Sequence, residues 1–239
     1  MTASYKLMPV GDSGLMIDFG EAIDPVVNRA VHQMARAIKN ANIPGIWGIV
    51  PAFSTLLVEF DPLEMTVDEL QAIIPDLRLQ PVTQKSRYFD IPVCYGGEYG
   101  EDLLDVAQRL GMSPQEVVQQ HTAHPYQVYC IGFSPGFPLC GILPETLRLP
   151  RRTSPRTSVP AGSVAMAGSQ TGIYPMSSPG GWHLLGRTPA RLFCWDRNPP
   201  VRYEPGDFLR FRSIEPEEFA RFEAQVAQGI DVMVEVSDA

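Results

Sequence analysis

The chain reads as an α+β protein in two parts: a small α/β N-terminal domain over residues 1–82, then a domain over 83–239 whose many short strands close into a β-barrel. Three observations carry that reading. A strand, strand, helix pattern occurs twice in the first third of the chain, which gives a sheet with helices on one face. The pattern restarts at Tyr88 after a polar, proline-bearing stretch, Leu77 to Ser86. Beyond that point short apolar runs alternate with Gly- and Pro-rich turns and few helices, the signature of a closed or nearly closed barrel.

Tyr5 to Pro9 and Leu15 to Phe19 are strands around a turn at Gly11 to Gly14. Val27, Ala30, Val31, Met34 and Ile38 then recur at helical spacing behind Asp24 and Pro25, an N-cap followed by a proline whose missing N–H costs nothing at the first helical position. Strands follow at Trp47 to Pro51 and Thr55 to Phe60. Thr66 with Glu69 three residues on is a capping box for a second helix carrying Leu70, Ile73 and Ile74.

In the second domain Tyr88 to Val93 is a strand, and Leu103, Val106, Ala107 and Leu110 mark a helix. Ser113, Pro114 and Glu116 open another with a cap, a first-turn proline and a capping-box acid. Strands are expected at Gln127 to Ile131, Ser163 to Ala167, Trp182 to Arg187 and Phe208 to Phe211. A helix runs from about Glu215 to near Gly229.

Composition narrows the function. A formal charge of −8 with no basic tail or helix argues against nucleic acid as a partner. Every basic residue after Lys85 is an arginine, a bias toward planar, bidentate recognition of carboxylates or phosphates. Cys94, Cys130, Cys140 and Cys194 show no CxxC spacing, the N-terminus lacks the apolar run of a signal peptide, and Pro44, Pro51 and Glu59 interrupt the most apolar stretch. A cytoplasmic protein with free thiols and no membrane span is expected.

Three polar motifs crowd the stretch Cys130 to Pro189: GFSPGFP (Gly132 to Pro138), PRRTSPRTSVPAGS (Pro150 to Ser163) and QTGIYPMSSPGGWHLLGRTP (Gln170 to Pro189). Gly132 to Gly136 has the letters of a GxSxG nucleophile elbow. The residue after the serine should give its N–H to an oxyanion, however, and Pro135 has none, so Ser134 reads as a turn hydroxyl. His121 and His124 have HxxH spacing with no third ligand in sight, and no metal is expected. There is no P-loop, and GGEYG (Gly96 to Gly100) reads as a turn.

The chemistry is expected from the arginines. Arg151, Arg152 and Arg156, with Arg187 downstream, form a candidate anion clamp, because a guanidinium holds a carboxylate or phosphoryl oxygen by paired charge-assisted hydrogen bonds. Gln170, Thr171 and Tyr174 offer neutral hydrogen bonds, Phe133 an aromatic wall, and His183 a proton carrier near neutral pH. Arg152 and His183 are the candidate catalytic residues.

The strings GFSPGFP, LPRRTSPRTSVPAGSVAMAG, QTGIYP and SSPGGWHLLGRTP, in this order and ending with EPGDFLRF, resemble the family that contains the B component of bacterial ATP-dependent 5-oxoprolinase, the sporulation kinase inhibitor KipI and allophanate-hydrolase subunit 1. The match is specific over about Tyr88 to Phe211 and weaker before it. One departure is that Leu139 and Cys140 follow PGFP where the family commonly has an aromatic and a leucine. The resemblance implies a cyclophilin-like barrel as the second domain. It also implies work with a homologous, cyclophilin-like C component and a separate A component in opening 5-oxo-L-proline to L-glutamate, with ATP as co-substrate and no tightly bound cofactor. Two other roles are implied by the same resemblance: an inhibitor docking on a sensor histidine kinase, and part of an allophanate or urea amide hydrolase.

Overall fold

The computed structural model describes residues 4–21, 23–79 and 85–237. The chain divides into two compact units, Met1–Lys85 and Ser86–Ala239. The boundary expected at 82 and 83 lies outside the described residues.

In the first unit β1 (Lys6–Val10), β2 (Gly14–Asp18), β3 (Ile46–Pro51) and β4 (Thr55–Phe60) form an antiparallel sheet in the order β1-β2-β4-β3. Strand alternation sends Leu15 and Ile17 of β2, and Leu56, Val58 and Phe60 of β4, to one face. There they meet Val31, Met34 and Ile38 of α1 (Pro25–Ala41) and Leu70 of α2 (Val67–Ile73). The caps lie where the sequence puts them. Asp24 Oδ1 accepts from the N–H groups of Val26 and Val27 at 2.7 and 3.1 Å, and Thr66 and Glu69 exchange both bonds of the capping box.

The second unit contains β5 (Tyr88–Tyr95), α3 (Leu103–Leu110), α4 (Pro114–Thr122), β6 (Tyr126–Ile131), β7 (Pro138–Gly141), β8 (Arg156–Val159), β9 (Ser163–Ala167), β10 (Gln170–Ile173), β11 (Ser178–Gly180), β12 (His183–Arg187), β13 (Phe208–Ser213), α5 (Pro216–Ala227) and β14 (Val234–Val236). The strands run in the order β12-β9-β10-β7-β6-β13-β5, and β12 pairs back onto β5 at Cys94 and Tyr95, so seven of them close a barrel. All pairings in the ring are antiparallel except β5 with β13. The barrel is filled by Phe89, Ile91, Val93, Val128, Cys140, Val164, Met166, Leu185, Leu209 and Phe211. Closure leaves few edges, the way a sheet of short strands avoids unpaired backbone.

The α+β class and the closed barrel match the sequence reading. Four strands, β7, β8, β10 and β11, lie among residues read as motifs and turns, and β14 lies beyond the last element assigned from sequence. Three of the four, β7, β10 and β11, contain Gly or Pro in a segment of four residues or fewer, and such segments have no visible alternation. Among the described residues no helix is long and apolar enough to cross a membrane. The four cysteines are free, three of them buried.

Candidate functional site

The arginine loop is organised by a residue the sequence reading passed over, Asp102. After β5 the chain turns through Gly96 and Gly97, both at positive φ, and then passes so close to β12 that a Cβ on Gly100 would overlap the Leu185 carbonyl. That approach puts Asp102 beside Leu184. The Asp102 N–H donates to the Leu184 carbonyl at 3.1 Å, and the Leu184 N–H donates to Asp102 Oδ2 at 2.7 Å. Asp102 Oδ1 accepts from Arg152 Nη1 at 2.8 Å and Arg156 Nη2 at 2.7 Å, while Arg156 Nε pairs with Glu101 at 2.8 Å. Burial alone would push the Asp102 carboxyl up. The Arg156 hydrogen bond, the Leu184 N–H and the charges of both arginines reverse this and hold it below the ordinary carboxylate range. Arg152 and Arg156 are therefore together, as a half-buried ion cluster. Each keeps one buried N–H group, Arg152 Nε and Arg156 Nη1, without a described acceptor. Arg151 is exposed and has no described hydrogen bond or ion pair.

Next to this cluster lies an aromatic group. Phe137, Tyr174 and Trp182 pack with rings near right angles, at centroid distances of 5.0 Å for Phe137 with Tyr174 and 5.6 Å for Phe137 with Trp182. Phe133 caps them, edge-on to Phe137 at 5.4 Å and to Tyr174 at 6.3 Å. It is 68% exposed and its backbone sits at φ 66, a conformation rare for a bulky side chain. Burial raises the Tyr174 hydroxyl, opposed by the Trp182 N–H and by the charges of Arg151 and Arg156. Tyr174 and the arginine loop thus share one electrostatic neighbourhood.

His183 is fully buried, with Nε2 2.9 Å from the Pro150 carbonyl. A carbonyl only accepts, so in the neutral ring the proton is on Nε2 and the lone pair on Nδ1. Nδ1 is buried with no described partner. Ser134 forms a turn in which Phe137 N–H donates to its carbonyl at 3.0 Å, in keeping with the turn reading.

Two sequence-derived candidates lie elsewhere. Thr171 belongs to the core: its hydroxyl donates to the Ala165 carbonyl at 3.1 Å and accepts from His121 Nε2 at 2.9 Å. Gln170 is a half-buried β10 residue opposite Gly141 and Ala167. His121 is likewise structural. It is stacked between Phe211 and Tyr126, its Nδ1 accepts from the Tyr95 hydroxyl at 2.8 Å, and burial takes its pKa down to about 3. His124 is exposed, so the HxxH pair does not converge. Among the described residues no group of three His, Cys, Asp or Glu side chains could hold a metal ion.

Arg187 lies at a second locus, an open cleft of about 560 Å³ between the GRTP segment and α5. Three motifs meet at its floor. Gly162 of PAGS, at φ +80, has its N–H on the Tyr174 carbonyl at 2.7 Å and its own carbonyl on the Thr188 N–H at 2.9 Å. A Cβ there would overlap the Thr188 carbonyl, so only glycine allows the three segments to knit. Arg187 itself donates to the Glu98 carbonyl at 3.3 Å and lies 5.8 Å over the Tyr99 ring. The same GGEYGED turn thus holds Arg187 through Glu98 and the arginine loop through Glu101 and Asp102.

Residues 5–203, which include the whole ring of strands except β13 and both arginine loci, match the family described as carboxyltransferase domain, subdomain C and D. The B subunit of 5-oxoprolinase from Bacillus subtilis is 41% identical over 238 residues, covering 94% of this chain and 99% of that one. The chain therefore belongs to the carboxyltransferase domain, subdomain C and D family, in the group that holds the B subunits of 5-oxoprolinases. Among solved structures, TTHA0988 is 40% identical with a TM-score of 0.77, covering 85% of this chain, which spans only 40% of that longer one. The urea amidolyase of Kluyveromyces lactis shares the fold at a TM-score of 0.81 and 17% identity, over 98% of this chain and 16% of its own.

Proposed function

We propose that this chain is the B component of an ATP-dependent 5-oxoprolinase, working with the C and A components of that enzyme to convert 5-oxo-L-proline, ATP and water to L-glutamate, ADP and phosphate. The observation that carries the reading is the 41% identity to a 5-oxoprolinase B component across nearly the whole of both chains. It favours this role over the kinase-inhibitor and urea amide hydrolase roles.

The chemistry gives the arginines their place. A lactam carbonyl is a poor electrophile because attack surrenders amide resonance. Transfer of the γ-phosphoryl group of ATP to the lactam oxygen releases ADP and makes an activated carbon; one water adds there, the ring C–N bond opens to give the amine and an acyl phosphate, and a second water releases phosphate from it and leaves the side-chain carboxylate of glutamate. Fixed positive charge stabilises such a transfer. In this chain Arg151 is free to grip an anion, and Arg152 and Arg156 face the same neighbourhood with one buried unpaired N–H each. Tyr174 and Phe133 border the ligand, and His183, whose buried Nδ1 lone pair has no described partner, lies behind them in β12.

The test is release of phosphate and glutamate from ATP and 5-oxo-L-proline by the chain alone, with the C component, and with the A and C components together. Turnover only in the complete mixture is expected. No turnover from an assembled complex, beside a working three-component enzyme, would overturn the reading.

A further inference from the structure

We infer that the cleft beside α5 is itself a ligand site on this chain, for a small anion that carries a planar, N–H-bearing ring, either a lactam acid or a nucleotide. The arginine loop of the sequence reading spends much of its charge on Asp102 and Glu101. The cleft arginines do not. Neither Arg187 nor Arg191 is in a described ion pair, Arg187 Nε is buried with no described acceptor, and exposed Arg191 makes no described hydrogen bond. Two guanidinium groups outside the described ion pairs, on one cleft, are donors set for a carboxylate or phosphate.

The rest of the lining defines what accompanies the anion. Trp195 is 85% exposed at the cleft, its ring at 86° to that of Phe193 with centroids 4.8 Å apart, so most of the indole is open to a flat group while Phe193 braces it. Asp196 and Glu223 are exposed carboxylates on the same cleft, absent from the described ion pairs and able only to accept when ionised. They suit an N–H group and would repel an anion without one. A volume of about 560 Å³ is in the range of small-molecule sites. The floor is rigid, since Gly162 ties three segments together beneath it.

5-Oxo-L-proline and ATP both have this chemistry, and their choice as probes rests on the 5-oxoprolinase reading; the site itself does not. Calorimetric titration of the full-length chain with 5-oxo-L-proline, ATP and inorganic phosphate separates the sources. Binding of either ring-bearing ligand is expected, weakened about tenfold or more by Arg191→Gln, the loss of a charge-assisted hydrogen bond, with an unchanged Tm because Arg191 is exposed. Arg187→Gln should weaken it as well. Whichever ligand binds names the source. Failure of both to bind, or affinity untouched by both substitutions, overturns the site. Phosphate binding as tightly as ATP overturns its ring-binding half. Ligand binding by the chain with no turnover from the assembled complex would sink the oxoprolinase reading and leave the site standing; turnover unimpaired by both substitutions at limiting substrate would do the reverse.

Discussion

Arg156 Nη2 lies 2.7 Å from Asp102 Oδ1, on a carboxylate that is almost completely buried and also accepts the Leu184 N–H. One side chain therefore joins the GGEYGED turn, the arginine loop and the barrel strand β12. Removing the acid strands Arg152 and leaves Arg156 only the exposed Glu101, while removing one arginine leaves the other as counter-charge.

Asp102→Ala is expected to destabilise the chain by about 3 kcal/mol, the usual effect of leaving a buried charge uncompensated. Arg152→Ala should cost well under half of that, because the Arg156 and Leu184 contacts persist. Urea denaturation of the two variants decides it; equal losses would mean that Arg156 does not hold the acid alone. On the oxoprolinase reading Arg152→Ala should lower turnover in the reconstituted complex while the chain stays folded.

Acid sensitivity should begin above the carboxylate range. His121 is neutral in the folded chain, its pKa taken to about 3 by burial, against 6.5 ordinarily. As pH falls below 6.5 the unfolded chain binds a proton that the folded chain refuses, so stability is lost between pH 6.5 and 3. The slope of the unfolding free energy with pH should correspond to as much as about one proton between about pH 6.5 and 5, where most carboxylates are still ionised. His121→Asn should remove that contribution. A slope equal to that of the wild type in His121→Asn would assign the pH dependence to another group.

Glycines in one turn should respond differently to the same methyl. At Gly100 an added Cβ overlaps the Leu185 carbonyl, and backbone cannot yield without parting the turn from β12. At Gly97 there is open space and only the positive φ of 53° to oppose it. Gly97→Ala is expected to cost about 1 kcal/mol, and Gly100→Ala several times more or a failure to fold. Thermal denaturation of the two variants makes the comparison, and equal Tm values would show that the close approach is not needed.

What was legible in the sequence was local. Asp24, Thr66 with Glu69, and Ser113 with Glu116 signal helix starts because donor and acceptor lie within three residues. The barrel could be inferred as a class, but β10 and β11 could not be seen, since Gly172 and Pro179 look like turn residues until neighbouring strands pair with them. Asp102 was hidden for a different reason: its partners lie 50, 54 and 82 residues away in sequence, and only the turn at Gly96 to Gly100 brings them together. Thr171 was misplaced by its motif. A hydroxyl in a polar string looks available, while strand alternation sends it into the core to His121.

Phe133 combines exposure with a backbone conformation that opposes its side chain, and such strain persists where something other than stability retains it. Phe133→Gly removes the opposed Cβ and also the edge contacts with Phe137 and Tyr174, two effects of opposite sign and each about 1 kcal/mol. Net stability should therefore change little, by less than about 1 kcal/mol. On the oxoprolinase reading the exposed ring borders the ligand beside Tyr174, so the same variant should raise the KM for one of the two substrates in the reconstituted complex. A stability loss well above that bound would make Phe133 a packing residue, its exposed face notwithstanding. Unchanged stability together with unchanged KM for both 5-oxo-L-proline and ATP would remove it from the site.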